Sequence, residues 1–416
     1  MKRLLLVSTT TGYQAHAFRE AAARMGVPLA LASDRCHVLE DPWQDGAFPV
    51  RFEKPQESAR KIVEYAGDNP LSGVVVIGDP PTLTAALACR ELGLPFHPPE
   101  AVEGCRNKYL ARERYRAAGL PVPWYTRIAA REDPRRALDS VPFPCVLKPL
   151  GLSASRGVIR ADSPAEFLAA FARIAALLQS ADVRKMKEES SAWIQVEGFI
   201  PGCEVALEGI LTRGRLRVLA MFDKPDPLDG PYFEETIYVT PSRLEPATQC
   251  AIVQATERAV EALGLWHGPL HAELRLNPEG IWMLDMAARP IGGLCAQALR
   301  FGKGMPLEEL VLRHALGEPV EDLPREPAAT GAMMIPIPRA GVLEGVEGAD
   351  EAAQTPGIDA IEITAKLGQT LVPLPEGSSY LGFIFARGET PEFVEQALRK
   401  AHERLRFQIL ASLPVM

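Results

Sequence analysis

The chain has 416 residues, enough for two to four domains at roughly 150 residues each. Hydrophobic residues make up 47% and charged residues 24%, so a sizeable core can form without disulfides. With 45 Lys+Arg against 53 Asp+Glu the net charge is −8, and no basic run or basic–aromatic stripe occurs. That excludes nucleic acid as the main partner but leaves room for a nucleotide, which needs only a few local cations. No apolar run reaches the roughly 18 residues of a membrane span. Leu4–Val7 is shorter than the roughly 7–15 apolar residues of a signal peptide. The seven cysteines (36, 89, 105, 145, 203, 250 and 295) form no CxxC pair, so reduced thiols in a cytoplasmic enzyme are expected.

The first hundred residues alternate apolar runs with helical spacings. Leu4–Val7 leads into the polar turn Ser8-Thr9-Thr10-Thr11-Gly12, then a helix over Ala15–Met25 stopped by Gly26, then a run at Leu29–Ala32. A helix over Arg60–Tyr65 precedes the β-branched strand Gly73–Gly78 and a helix over Thr82–Leu92. Such βαβ alternation predicts an open parallel sheet, which binds ligands beyond the carboxyl ends of its strands. Here those ends are Ser8–Gly12 and Gly78-Asp79-Pro80-Pro81. The glycine fingerprint of dinucleotide sites is missing, so this is not read as an NAD domain.

Pro98-Pro99 marks a boundary, followed by a charged helix from Asn107 to Ala118. A strand over 143–149 ends in Lys148-Pro149; the small-residue loop 151–157 re-enters a strand, and Pro164–Leu178 is a helix. The polar stretch 181–192 is expected to be a mobile loop. Strands follow at Trp193–Val196, Val205–Ile210, Leu216–Met221 and Ile237–Val239, then an amphipathic helix at Ala247–Leu263. Leu270–Leu276 and Gly280–Asp285 form a hairpin around Asn277-Pro278-Glu279. Further on are a helix at Leu307–Leu316, strands at Gly331–Ile337 and Tyr380–Ala386, and a helix at Pro391–Arg404.

Three constellations carry chemistry. In the first, the backbone of loop 151–157, Gly157 included, can approach phosphate oxygens closely, with Ser153 and Ser155 adding hydroxyls and Lys148 and Lys108 adding charge. A surface hairpin with solvated lysines is the plain alternative. In the second, Glu197 and Glu204 flank the apolar turn Gly198-Phe199-Ile200-Pro201. The carboxylates can accept from ribose hydroxyls while the turn backbone pairs with an adenine edge under Phe199 and Ile200. Exposed turns with solvated acids are the commoner fate of Glu. In the third, His271 and Glu273 share a strand face, and Asp285 comes beside Glu273 across the hairpin. Two acids on neighbouring strands repel unless a cation lies between them, and hard oxygen donors suit Mg²⁺, or Mn²⁺ in its place. Arg289, in a turn with Gly292-Gly293, can grip a phosphate or carboxylate bidentately.

In their order and spacing over about 180 residues, Lys108, Lys148, loop 151–157, Glu197–Glu204, Glu273, Asp285 and Arg289 resemble the ATP-grasp superfamily. The tail, notably Gly377-Ser378-Ser379-Tyr380-Leu381-Gly382, is similar to the biotin-carboxylase-like branch. His271-Ala272-Glu273, Arg289-Pro290-Ile291-Gly292-Gly293 and Asp223-Lys224-Pro225 resemble bacterial L-amino-acid (dipeptide) ligases. The resemblance implies an α/β chain, α+β in its later domains. It implies a Rossmann-like N-terminal domain (1–100), a lid region (101–192), a large subdomain with the Mg-ATP site (193–320) and a C-terminal α/β part (321–416). The superfamily's usual second metal ligand, Glu, is Asp285 here, and its Asn two positions later is Ala287.

The activity implied is ATP-dependent ligation of a small-molecule carboxylate to an amine through an acyl phosphate. Lys108, Lys148 and Mg²⁺ would hold ATP, Arg289 would stabilise the transferring phosphoryl group, and His271 would contact substrate or orient Glu273. A bicarbonate-activating, biotin-carboxylase-like enzyme is the enzymatic rival. A nucleotide-binding regulatory protein with a degenerate site is the non-enzymatic one. The sequence does not set the oligomeric state; a homodimer is the commonest assembly.

Overall fold

The computed structural model describes residues 2–9, 14–34 and 46–411. Its first unit is a four-stranded parallel sheet ordered Ala47–Pro49, Leu29–Ser33, Leu4–Ser8, Gly73–Ile77. Leu4–Ser8 and Gly73–Ile77 are buried along their whole length because both faces are covered. Leu5, Val7, Val74 and Val76 enter one core, while Leu4, Leu6, Val75 and Ile77 enter another. The chain order reverses between Leu4–Ser8 and Gly73–Ile77, which is where an open parallel sheet leaves a crevice at its carboxyl edge. Asp79 stands there. The other expected strand end, Thr10–Gly12, lies outside the described residues, as does Cys36. The six described cysteines are all free.

Pro98-Pro99, read as a boundary, instead opens a helix over Pro99–Arg106. Pro99 takes its first position, where a missing N–H costs nothing. The next helix, Lys108–Ala117, is capped by the Asn107 side chain accepting from Leu110 N–H at 3.1 Å.

A small antiparallel sheet follows, ordered Tyr125–Ala129, Trp193–Gly198, Cys145–Pro149, Ile159–Ala161, with helix Pro164–Leu178 laid on it. Phe167, Phe171 and Ile174 give this unit its own core with Leu147 and Val196. Residues 181–192, expected as a mobile loop, form the helix Ala181–Met186 and a 3-10 turn at Glu189–Ala192. Buried Val183 and half-buried Met186 pin this polar stretch to the same core. Trp193–Gly198 pairs into the small sheet, so that sheet reaches past the division expected at 192.

The main sheet has eight strands, ordered Gly280–Ala287, Gly268–Asn277, Cys203–Thr212, Arg215–Lys224, Ile237–Thr240, Ala329–Ile335, Gly382–Gly388, Ile358–Ile363. It runs without a break through the division expected at 320. The hairpin at 277–280 forms as expected, with Asn277 Oδ1 accepting from the Glu279 and Gly280 amides. Helix Pro391–Arg404 packs on the tail strands. A smaller sheet joins Thr370–Leu371, Gly341–Glu347 and Arg406–Leu410. Among the described residues, no helix is long and apolar enough to cross a membrane.

Candidate active site

Strand alternation builds one polar face on the main sheet. Along Cys203–Thr212, Val205 and Leu207 enter the core, which leaves Glu204 and Glu208 on the opposite face. Along Gly268–Asn277, Ala272 and Leu274 are core, so His271, Glu273 and Arg275 share that polar face. Glu208 pairs in register with His271, and Glu273 with Asp285. The ladder then passes to Leu274 opposite Met283, so Leu284 is a bulge residue beside the two acids.

Each charge on this face has a defined partner. His271 lies between Glu208 (Nδ1 to Oε2, 3.1 Å) and Glu273 (Nε2 to Oε1, 3.5 Å). Burial opposes its charge, but the two carboxylates outweigh it and bring the imidazolium pKa to about 9. Burial pushes the Glu208 carboxyl up; His271 and the Ile291 amide, 3.1 Å away, act against that. Burial likewise opposes ionisation of Glu273, but Lys224 and His271 hold its pKa below the usual range.

Glu204, Glu235 and Glu273 converge on the Lys224 ammonium, at 2.7 Å from Glu204, at 3.7 Å from Glu273 and in a close pair with Glu235. Glu204, expected to accept from ribose, also receives Arg275 at 3.0 Å, so both its oxygens are engaged. Asp285 has no ion pair or hydrogen bond among the described residues. An unpaired carboxylate in register with Glu273, on the wall of a cleft, is a hard-oxygen donor pair that fits Mg²⁺.

The small sheet supplies the opposite wall. Lys148 pairs closely with Glu197, which also accepts from Arg112 (3.1 and 3.3 Å) and Gln195 (2.8 Å). Burial opposes the charge on Glu197, yet Arg112 and Lys148 hold its pKa at about 2. Glu197, expected to accept from ribose, is therefore engaged in orienting Lys148. Burial draws the Lys148 pKa down, against the pull of Glu197. Lys108 Nζ donates to the Leu152 carbonyl at 2.7 Å and so ties the helix Lys108–Ala117 to the loop. In that loop Ala154 and Ser155 adopt left-handed φ of 54° and 53°, rare for non-glycine residues. Ser153 and Ser155 line the cleft. Gly157, expected to donate its amide to phosphate, donates it instead to the Pro375 carbonyl at 2.8 Å. Of the turn residues, Phe199 donates its amide to Pro144 O, and the Ile200 carbonyl accepts from Arg275.

Arg289 is fixed by a residue 210 positions away. Its Nε and Nη2 each donate to one oxygen of Asp79 at 3.0 Å, and its Nη1 donates to Pro290 O. A guanidinium has five N–H donors, so two remain for a ligand. Burial opposes ionisation of Asp79, but Arg289 outweighs it and lowers the pKa.

Two chambers meet at this point. One, of about 980 Å³, holds Lys108, Lys148, Ser153, Phe199, Ile200 and Leu284. The other, of about 1570 Å³, holds Asp79, Arg106, Met186, Glu188, Tyr238 and Tyr380. They share Ser153, Glu235, His271, Glu273 and Arg289.

Three families match successive parts of the chain. The ATP-grasp N-terminal domain matches residues 19–96, the ATP-grasp domain 141–298, and the L-amino acid ligase C-terminal domain 2 residues 333–409. The chain has the ATP-grasp fold. It is similar to the crystal structure of an L-amino acid ligase from Bacillus licheniformis, at 26% identity, with a TM-score of 0.84 over 98% of this chain and 99% of that one. It is also similar to alanine–anticapsin ligase of Bacillus subtilis, 30% identical over 55% of this chain and 50% of that protein. The chain spans half to three fifths of the length of the alanine–anticapsin ligases it matches. A biotin carboxylase from Campylobacter jejuni shares the fold alone, at 14% identity and a TM-score of 0.66 over 98% of this chain and 92% of that one.

Several residues that line the cleft or back it from beneath were not singled out from the sequence. Arg112 follows Lys108 by one helical turn, a spacing that could have revealed it. Glu208 could have been found from its alternation with Glu204. Asp79 was marked only as part of a strand end, and nothing local pointed to its pairing with Arg289 or to that of Glu235 with Lys224.

Proposed function

We propose that this chain is an ATP-dependent ligase that joins the carboxylate of one small molecule, an amino acid, to the amine of another. A carboxylate oxygen attacks the γ-phosphorus, the bond to the β-phosphate oxygen breaks, and ADP leaves. The amine nitrogen then attacks the acyl carbon, phosphate departs, and the nitrogen loses a proton. The observation that carries this reading is the meeting of two chambers at Glu273, His271 and Arg289. A nucleotide in the first would present its terminal phosphate to a carboxylate in the second.

Phosphoryl transfer needs positioning and charge neutralisation more than an acid or base. Lys148 and Lys108 supply positive charge beside the loop, and the two free Arg289 donors serve the transferring phosphoryl group. His271, charged at neutral pH, braces Glu273 through its Nε2. Glu273 and Asp285 would hold Mg²⁺, which on binding neutralises phosphate charge. Asp285 and Ala287, where the superfamily has Glu and Asn, leave a smaller donor set for a second ion.

The test is ADP and phosphate release with pooled amino acids, then with bicarbonate. Release with amino acids together with a new amide product supports the ligase. Release with bicarbonate alone favours the carboxylase-like activity, and nucleotide binding without release favours a regulatory protein.

A further inference from the structure

The loop over the cleft is clasped from outside by the C-terminal part. Arg156 Nε donates to the Glu376 carbonyl at 2.7 Å, next to the hydrogen bond from Gly157 N–H to Pro375 O. Arg173, on the helix Pro164–Leu178, forks onto both oxygens of the Glu376 carboxylate, one at 2.8 Å, and also reaches the Tyr232 hydroxyl. The segment making these contacts is stiff. Gly377 N–H closes a turn onto Pro373 O at 2.9 Å, and a Cβ on Gly377 would meet Val372 O at 1.8 Å. Just past the turn, Ser378 and Tyr380 line the second chamber, as does Arg156 from the loop side. One short segment thus touches both the cover of the nucleotide site and the wall of the substrate chamber.

We propose that residues 373–380 are a latch whose Glu376 holds the phosphate loop closed and links that closure to the substrate chamber. Glu376 lines neither chamber, so it is a positioning residue. The proposal rests on the ligase reading, in which an acyl phosphate must be kept from water. The Arg173–Glu376 side chains are 42% and 38% exposed. A pair that exposed shifts an open–closed equilibrium by about fivefold or less, which suits a cover that must open every turnover.

The test uses the full chain with Glu376→Ala, Arg173→Glu and the swap Arg173→Glu/Glu376→Arg. In Glu376→Ala, amide exchange of residues 151–158 with ADP bound should rise about fivefold, and the KM for ATP should follow. ADP release should exceed amide product, because acyl phosphate is lost to water. The swap should restore both readings. Unchanged exchange in a folded Glu376→Ala protein overturns the latch, as does a swap that restores neither reading. Exchange needs no turnover: a wild-type chain that ligates nothing removes the ligase reading while exchange still decides the latch.

Discussion

Lys148 and Arg289 both line the ATP-grasp cleft, and both are neutralised by a carboxylate, but the carboxylates come from different places. The partner of Lys148, Glu197, sits on the neighbouring strand of the same small sheet. The partner of Arg289, Asp79, comes from the parallel sheet of the N-terminal unit. Lys148 and its counter-ion therefore lie on adjacent strands of one sheet, so that sheet alone keeps the buried ammonium from standing unpaired, which is the costly case. Arg112 joins Glu197 to the Leu284 carbonyl of the main sheet, and nearby Gly198 N–H meets Trp124 O at 2.8 Å. Arg289 instead spans two units and locks them together. One wall thus carries its own neutralising charges, while the other, the fixed wall, takes them from strand register and, at Arg289, from a second unit.

The fixed wall should break most severely at Glu273 and Asp285, the proposed metal pair. Glu273→Gln removes one of two hard donors and one of the two carboxylates that hold His271 charged. Turnover should fall by at least about 10³ at ordinary Mg²⁺, with partial recovery at high Mg²⁺. Full activity in limiting Mg²⁺ would remove Glu273 from the metal site.

The lock between units comes next. Arg289→Lys replaces a planar fork with a point charge. The kcat should fall by about 10²–10³, or roughly 2–4 kcal/mol, while ATP still binds. Asp79→Asn keeps the guanidinium but loosens its aim, and should cost less in kcat. If Arg289→Lys lost melting temperature and left kcat intact, Arg289 would be only a tie for the glycine turn.

Much of the fixed wall was legible because a strand's period of two is visible in sequence. His271, Glu273 and Asp285 follow from alternation plus a hairpin signal, and Arg289 from its glycine turn. Its lock onto Asp79 was not legible, since it joins residues 210 apart through two independent folding units. Helices with clean caps, such as Pro164–Leu178 and Pro391–Arg404, were readable to the residue. The tail strand Ile358–Ile363 was missed because it is an edge strand, half-buried along its length and without a clear alternation. The division at 320 failed as a sheet boundary because backbone pairing leaves no compositional mark. The hydrogen bond from Gly157 N–H to Pro375 O was not legible, because a glycine loop shows where backbone can approach something, not what it approaches.

Acid should weaken the anchorage of the fixed wall before it affects the small sheet. His97 is buried, accepts from Trp266 N–H at Nδ1 (3.2 Å) and meets Pro269 O at Nε2 (3.0 Å). A proton on Nδ1 would face that N–H, and burial lowers the pKa to about 4. The unfolded chain, near pH 6.5, then binds more protons than the native one. This contribution is intact above about pH 6.5 and is lost as pH falls toward 4, on the order of 3 kcal/mol in all. His314, also brought to about 4 by burial, adds to the slope. Melting curves from pH 7.5 to 4.5 should therefore flatten in His97→Gln, whose amide can keep both hydrogen bonds. Equal slopes for the two proteins would show that His97 is not the source.

The small-sheet wall offers the smallest and most selective test. Ala154 and Ser155 both hold left-handed φ, and both line the first chamber, but only Ser155 has a hydroxyl. Glycine at either position relieves about 1 kcal/mol of backbone strain and adds a similar entropy to the unfolded chain. Melting temperatures of Ala154→Gly and Ser155→Gly should thus stay close to wild type and to each other. Nucleotide affinity should separate them. Losing one hydroxyl donor to phosphate is worth about 1 kcal/mol, so Ser155→Gly should weaken ATP binding about fivefold while Ala154→Gly leaves it unchanged. Calorimetric titration of both variants with ATP and Mg²⁺ reads the difference directly. Equal weakening would mean that the loop acts through its strained backbone alone, and equal, unchanged affinities would take the Ser155 hydroxyl out of the site.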